Sequence, residues 1–213
     1  MKISKAVLSK NNNPIELLET ENKNFKKTIL FIGVFHGDEP QGQALIKRFI
    51  KDLDETKLVN KLLFIPCLNP DGKDLNTRQN ANKIDLNRNF PTQNWKMVQH
   101  PDYFGGSRPE SEIETRFMVE VLEEYKPNFI LSFHAPFEIV NFDGPAHIEA
   151  DKISELCGYP SQSDIGYATP GSFGTYAGVE RNIPTITLEL SETETLDNLW
   201  KRTEKVFEYC AEF

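Results

Sequence analysis

Thr28-Ile29-Leu30-Phe31-Ile32-Gly33-Val34 leads through Phe35 into His36-Gly37-Asp38-Glu39. The apolar run predicts a buried strand. The strand delivers an imidazole and a carboxylate three residues apart, which is a zinc-ligand spacing. Zinc in a hydrolase takes three protein ligands and keeps its fourth position for water. His36 and Glu39 therefore need a third ligand and a base further along the chain.

Two more apolar runs carry residues that complete this chemistry. The run 129–133 leads into His134, which we expect to be the third ligand. Glu189 lies in the β-branched run 185–190, where a carboxylate is out of place unless something pairs with it. Ligands of open α/β sheets bind at the carboxyl ends of strands. We therefore expect Glu189 to be the base of a site that begins at His36.

Strand-like and helix-like segments alternate through most of the chain. After the first strand, Pro40 opens an amphipathic helical run, and the apolar stretch 61–68 predicts another strand. This alternation predicts an α/β fold of three layers, in which helices flank a central mixed, largely parallel sheet. With 213 residues, of which 38% are hydrophobic and 26% charged, we expect one domain spanning residues 1–213.

The remaining segments are less regular. Residues 69–109 are rich in Asn, Gly, Pro and Asp, so we expect a long loop that forms one wall of the site. Pro109 is expected to open a second helix. A Gly- and Pro-rich region follows at 143–182, around a short helix near 147–157. The final helix is expected to run from about Leu196 to the terminus.

The charge of the chain argues against a nucleic-acid surface. Its formal net charge is −8 and its pI is about 5.1, whereas duplex binding is dominated by Lys and Arg that neutralise phosphates. No stretch approaches the roughly 20 apolar residues of a membrane span, and the basic start is not followed by a signal-peptide core. We expect a cytoplasmic protein without nucleic-acid or membrane partners. The sequence leaves the oligomeric state open.

The motif Asp85-Leu86-Asn87-Arg88-Asn89-Phe90-Pro91 offers an amide and a guanidinium side by side. This pair is suited to holding a planar carboxylate from two directions. Asn and Arg in a loop also cap neighbouring backbone groups, and that alternative stays open from the motif alone. Asp85 is a candidate to orient a metal-bound imidazole through its second ring nitrogen, as carboxylates behind metal ligands commonly do.

Together these motifs resemble the zinc metallocarboxypeptidases related to pancreatic carboxypeptidase (peptidase family M14). The motifs occur in the family's order, namely His36-x-x-Glu39, Asn69-Pro70-Asp71-Gly72, Asp85-Leu-Asn-Arg-Asn-Phe90, Ser132-Phe-His134 and Thr187-Leu-Glu189. Within the family the chain most resembles the bacterial murein peptide amidases. That similarity is carried by Arg78-Gln-Asn-Ala-Asn82, Asn94-Trp95 and Gly166-Tyr-Ala-Thr-Pro-Gly-Ser-Phe-Gly174.

The resemblance implies a catalytic metal centre. It implies one Zn²⁺ held by His36, Glu39 and His134, with Glu189 as the general base that takes a proton from the zinc-bound water. The donor set alone leaves another divalent metal possible, because metal affinity follows both ligand type and availability.

The resemblance also implies substrate-binding residues. Asn87 and Arg88 would grip the free carboxylate of the C-terminal residue, and Tyr167 would close over the substrate. Arg78 would polarise the scissile carbonyl, with Arg108 as the alternative because the segment between the arginines is short here. For Tyr167 the alternative is an aromatic packed at the base of a loop.

The implied activity is hydrolysis of the γ-D-glutamyl–meso-diaminopimelate bond of recycled murein peptides, which are small peptides with a free C-terminal carboxylate. Two alternatives on the same fold are a carboxypeptidase of ordinary peptides and a deacylase of N-acyl amino acids. A non-enzymatic binding protein is disfavoured because the ligands and Glu189 are all present. A serine hydrolase is disfavoured because no Gly-x-Ser-x-Gly motif occurs.

Overall fold

One mixed sheet of eight strands runs through the molecule, described here by a computed structural model of residues 1–213. The strands are β1 (Lys2–Leu8), β2 (Pro14–Glu19), β3 (Thr28–Ile32), β4 (Lys61–Ile65), β5 (Phe129–His134), β6 (Val140–Asp143), β7 (Ser161–Gln162) and β8 (Thr185–Glu189). Their order across the sheet is β1-β2-β4-β3-β5-β8-β6-β7. The predicted α/β class is confirmed.

The four central strands β4, β3, β5 and β8 are parallel to one another. They are apolar and almost wholly buried, as strands covered on both faces must be. Side chains alternate between the faces, so Ile29 and Phe31 join one apolar cluster while Leu30 and Ile32 join another. The sheet therefore separates two hydrophobic cores.

Helices cover both faces of the sheet. The α-helices are α1 (Gln41–Asp52), α2 (Pro70–Leu75), α3 (Ile113–Tyr125), α4 (His147–Cys157) and α5 (Leu196–Glu212). Buried side chains of α1, α4 and α5 pack in the cluster that contains Phe31, and those of α3 pack in the cluster that contains Leu30. The predicted three-layer arrangement is confirmed. None of the helices combines the length and apolarity needed to cross a bilayer.

Two expectations about the segment between β4 and β5 were wrong. Residues 69–109 are not one irregular loop, because α2 begins directly after Asn69, whose side chain accepts a hydrogen bond from the Gly72 backbone. Three-residue 3₁₀ turns follow later in the segment. The next helix begins at Ile113 instead of Pro109, since Glu110 adopts a left-handed conformation (φ 56°) that a helix cannot contain.

Candidate active site

Three buried side chains with metal-binding atoms meet where β3 and β5 end. His36 and Glu39 lie in the turn after β3, and His134 is the last residue of β5. Glu39 bridges the two imidazoles, with Oε1 2.8 Å from His36 Nδ1 and Oε2 2.9 Å from His134 Nδ1. The two Nδ1 atoms are 3.2 Å apart. The structure thus brings the three predicted ligands together.

This donor set fits a divalent cation. Two imidazoles and one carboxylate form an open set of the kind used for catalytic zinc. Burial opposes a charge on His36, but Glu39 and Asp85 outweigh it and raise the pKa of His36 to about 9. For Glu39, burial alone would raise the pKa of the carboxyl group. The neighbouring His36 and His134 outweigh this effect and lower the pKa. The carboxylates of Glu39 and Asp85 therefore create a negative potential at the imidazoles. A bound metal cation would be stabilised by the same potential.

Asp85 connects the first ligand to an arginine. Its Oδ1 lies 3.1 Å from His36 Nε2, the ring nitrogen that faces away from the donor cluster. Its Oδ2 accepts hydrogen bonds from Arg78 Nε at 3.1 Å and Nη2 at 3.0 Å. Burial alone would raise the pKa of Asp85, but His36 and the arginine lower it. Asp85 is thus a fully buried carboxylate with charged partners on both sides.

The two candidate arginines are in different surroundings. Arg78 Nη1 lies 3.6 Å from Glu39 Oε1, so its guanidinium borders the donor cluster. Arg108 is exposed, and only its backbone carbonyl is engaged, by Asn89 Nδ2 at 3.2 Å. This placement supports Arg78 over Arg108 as the group beside a scissile carbonyl.

Glu189 lies beside the donor cluster on β8. It is the register partner of His134 on β5, and 7% of its surface is exposed. Its Oε2 atom is buried without a hydrogen-bond partner. Burial and, to a smaller extent, Glu39 raise its pKa, against the opposing effect of His134. A buried carboxylate with a free oxygen and a raised pKa is suited to proton transfer.

Asn87 and Arg88 have polar groups that no acidic side chain engages. The side-chain oxygen of Asn87 accepts a hydrogen bond from the Phe173 backbone at 2.8 Å, which leaves its amide hydrogens free. Arg88 is only 4% exposed, and its Nη1 donates to the Asn87 carbonyl. No carboxylate forms an ion pair with Arg88, although a buried charge is costly unless it is paired. An anionic ligand would supply that missing partner.

Tyr167 lies at the mouth of this region. It is 43% exposed, and its ring centroid lies 6.4 Å from that of Tyr103 and 6.5 Å from that of Phe137. Burial of the hydroxyl raises its pKa, with Arg88 acting in the opposite direction. This exposure does not match the alternative of an aromatic packed at the base of a loop.

The structure adds Asp143, which the sequence analysis missed. Asp143, Asn87, Tyr167 and Glu189 line one polar cavity. Asp143 forms no hydrogen bond or ion pair through its side chain, and burial alone raises its pKa to about 6. It pairs with Thr185 on β8, four residues before Glu189, and therefore lies about 13 Å deeper along the sheet.

Two glycines make room for this carboxylate. A Cβ atom at Gly174 would lie 2.1 Å from Asp143 Oδ2, and one at Gly178 would lie 2.5 Å from Asp143 Cβ. Gly178 belongs to the π-helical turn Thr175–Val179, and such turns are frequent at functional sites. In the sequence, the only indication of this cavity is the spacing of the glycines in the Gly-rich region. No local pattern connects those glycines with residue 143.

Comparison with known proteins identifies the family of the chain. The model of the zinc carboxypeptidase family, peptidase M14, matches residues 1–152. Murein peptide amidase A of Vibrio campbellii is 35% identical over 174 residues, which cover 76% of this chain and 68% of that protein. The protein of the same name from Escherichia coli K12 is 32% identical over 173 residues, which cover 75% of this chain and 69% of that protein.

Solved structures show the same relationship. Murein-tripeptide amidase MpaA from Escherichia coli O157 superposes with a TM-score of 0.84 at 25% identity, covering 97% of this chain and 90% of that one. Carboxypeptidase A from Helicoverpa armigera superposes with a TM-score of 0.75 at 16% identity, covering 98% and 69%, and shows the shared fold. The chain therefore belongs to the zinc carboxypeptidase family and is a zinc metallopeptidase.

Proposed function

We propose that this metallopeptidase is an amidase that hydrolyses the γ-D-glutamyl–meso-diaminopimelate bond of murein peptides. One observation carries the proposal. A single cavity is lined near its catalytic end by His134 and Glu189 and contains, deeper in, the unpaired carboxylate of Asp143. Such a cavity suits a terminal residue with a long side chain that ends in an amine. The similarity to murein peptide amidases supports diaminopimelate as that residue.

The metal centre would be held by His36, Glu39 and His134, and these residues form the one three-donor group in the chain. This supports one zinc ion per chain. When bound, zinc supplies Lewis acidity that polarises a carbonyl and acidifies water. Asp85 would fix the orientation of the His36 ring through the hydrogen bond to Nε2.

Glu189 would act as the general base. Its free Oε2 atom accepts a proton from the attacking water, and the same carboxyl group then returns a proton to the leaving amine. Arg78 stabilises the negative charge that develops on the carbonyl oxygen, since its guanidinium borders Glu39. These two side chains cover the proton transfer and the charge that the reaction requires from the protein.

The leaving residue would be held by three side chains. Asn87 and Arg88 bind its free carboxylate, because together they offer free amide hydrogens and a buried guanidinium without an acidic partner. Tyr167 closes over the bound peptide from the mouth of the cavity. A small peptide with a free C-terminal carboxylate satisfies this arrangement.

Asp143 separates the proposed substrate from peptides and N-acyl amino acids that end in a neutral residue. Such a residue would leave the partly buried Asp143 carboxylate without a partner. The second ammonium group of diaminopimelate would pair with it. The cavity therefore favours a murein peptide over a hippuryl peptide that ends in a neutral residue. The proposal includes a cytoplasmic location, where the protein would encounter recycled murein peptides as substrates.

The testing experiment compares two substrates on the zinc-loaded protein. L-Ala-γ-D-Glu-meso-diaminopimelate is offered beside a hippuryl amino acid, and released diaminopimelate or hippurate is quantified. We expect diaminopimelate to be released by the unmutated protein and not by Glu189→Gln. The tripeptide in which lysine replaces diaminopimelate serves as a matched substrate, since it keeps the terminal ammonium and lacks the second carboxylate.

Each outcome separates the possibilities. Cleavage of hippuryl compounds alone would retain the mechanism and refute the proposed substrate. Inactivity on all three peptides by a protein that holds one zinc would favour the deacylase or the binding protein. Equal cleavage of the lysine and diaminopimelate peptides would show that the cavity recognises an ammonium group and not the whole amino-acid end.

A further inference from the structure

Tyr103 lies over both arginines of the candidate site. Its ring centroid is 5.4 Å from Arg78 Cζ and 5.7 Å from Arg88 Cζ. Both distances fall within the roughly 6 Å over which a guanidinium is attracted to an aromatic face. Tyr103 is 38% exposed, so its side chain is only partly withdrawn from solvent. One aromatic side chain thus links two cations that the proposed reaction uses separately.

The backbone around Tyr103 is hydrogen-bonded to the segments that carry these arginines. Gln79, next to Arg78, donates from Nε2 to the Pro101 carbonyl at 3.1 Å. On the other side, the Asp85 amide donates to the Phe104 carbonyl at 2.8 Å. Asn89, next to Arg88, donates from Nδ2 to the Gly105 carbonyl at 2.7 Å.

These bonds lie on both sides of Tyr103 in the chain. They hold the backbone that carries the ring next to the segments of Arg78 and Arg88. Gly105 adds to the close fit, because a Cβ atom there would lie 2.2 Å from the Arg88 carbonyl oxygen. The 101–105 segment is therefore seated against the backbone of Arg88 and is not a free surface loop.

The two arginines differ in what else holds them. Arg78 has a two-pronged bond to Asp85, whereas Arg88 has the Asn87 carbonyl and no carboxylate. For Arg88, the ring of Tyr103 adds to the negative potential of the nearby Asp85 carboxylate before substrate binds. Without the ring, the Arg88 side chain would gain alternative rotamers, and these would have to be ordered again when an anion binds.

We propose that Tyr103 is a positioning residue that holds Arg88, and to a smaller extent Arg78, in the orientation that receives the substrate. This inference rests on the proposed function for the roles of the two arginines. The aromatic face is the acting group, and the hydroxyl is not required. Loss of the ring therefore weakens capture of the terminal carboxylate first and polarisation of the carbonyl second.

The test uses three variants of the zinc-loaded protein. Tyr103→Leu removes the ring, Tyr103→Phe keeps it, and Phe25→Leu removes an exposed ring that lies over Lys61, away from the site. For Tyr103→Leu we expect kcat/KM to fall about tenfold, mainly through KM, as loss of one cation–π contact of a partly desolvated guanidinium predicts. Tyr103→Phe and Phe25→Leu should stay within about twofold of the unmutated protein.

A second readout does not depend on turnover. Phenylglyoxal modifies accessible guanidinium groups, and peptide mass spectrometry gives a rate for each arginine. Arg88 should be modified faster in Tyr103→Leu and at an unchanged rate in Tyr103→Phe. Arg181, whose guanidinium lies 3.3 Å from the Tyr176 ring centroid, is the internal reference.

The outcomes are distinct. Kinetics and Arg88 labelling that match the unmutated protein in Tyr103→Leu would overturn the proposal, as would an equal loss in Tyr103→Phe. If the unmutated protein cleaves none of the peptides, the proposed function fails, and the labelling of Arg88 alone decides the positioning role. Tyr103→Met repeats both measurements with a second non-aromatic side chain if Tyr103→Leu lowers the melting temperature more than Phe25→Leu does.

Discussion

His134 and Glu189 are register partners on the adjacent parallel strands β5 and β8. Their side chains therefore leave the same face of the sheet. Two residues earlier on the same strands, Ser132 Oγ lies 3.1 Å from Thr187 Oγ1, so a polar stripe leads through an otherwise apolar sheet to these residues. Backbone pairing, and not a mobile loop, fixes a candidate ligand beside the candidate base. Each side chain can thus be altered while the other keeps its place.

Glu189→Gln should separate catalysis from metal binding. Glutamine has nearly the same shape but cannot accept a proton, so we expect kcat to fall by about 10³-fold or more while zinc stays bound. Turnover of the tripeptide and zinc content per chain, measured on the same sample, check this. A variant that kept more than about a tenth of the activity would exclude Glu189 as the base.

Asp85→Asn should weaken zinc binding without removing a ligand. The carboxylate contacts His36 Nε2 and also pairs with Arg78, so its loss frees the ring to rotate and unpairs a half-buried guanidinium. We expect the zinc dissociation constant to rise about 10–100-fold, as for other carboxylates behind metal ligands. Competition against a chelator of known affinity measures it.

His134→Ala sets the upper limit for this measurement because it removes a proposed ligand. If Asp85→Asn bound zinc as tightly as the unmutated protein, the contact with His36 would have no role in the metal site. If it bound as weakly as His134→Ala, Asp85 would act as a ligand itself.

Arg88→Lys should raise KM and leave kcat almost unchanged. Lysine keeps the charge but cannot offer two parallel N–H groups to a carboxylate, and its ammonium is more strongly hydrated. We expect KM for the tripeptide to rise about 10–100-fold. Arg48→Lys, at an exposed ion pair with Asp197, is the matched control. An equal fall of kcat would instead place Arg88 at the reacting carbonyl.

The ends of the central strands could be predicted from the sequence because each is a short apolar run that stops at a polar side chain. His134 and Glu189 were found in this way, and the structure places them together. The last two helices also agree with prediction, because their apolar positions follow the helical period. Burial on both faces of the sheet made these signals strong.

The cavity could not be predicted by the same reasoning. Asp143 ends a four-residue strand that runs antiparallel to β8, so it does not lie at the carboxyl edge where the other candidates meet. The Asp143 side chain has space because Gly174, 31 positions further along the chain, has no side chain. The helix at Pro70 was missed for a related reason, because six residues are too few for helical periodicity to emerge.

Asp143→Asn should stabilise the substrate-free protein at neutral pH. Burial raises the pKa of Asp143 from 3.8 to about 6. Between pH 3.8 and pH 6, Asp143 is ionised in the unfolded chain but still protonated in the folded one, so the free energy of unfolding falls as the pH rises. Above pH 6 the folded protein carries the full free-energy cost of the charged carboxylate. That cost is at most about 3 kcal/mol, from 1.36 kcal/mol per pKa unit. Asparagine removes the charge while nearly keeping the shape.

The measurement is urea unfolding of both proteins near pH 4 and near pH 7.5. We expect similar stability at the lower pH and an advantage of about 1–3 kcal/mol for the variant at the higher pH. Asp197→Asn, at an exposed carboxylate, should show no such trend. A variant less stable than the unmutated protein at pH 7.5 would mean that the carboxylate has a partner in the folded chain.

The same substitution should abolish any preference for a cationic terminal residue, since a neutral amide cannot balance an ammonium group.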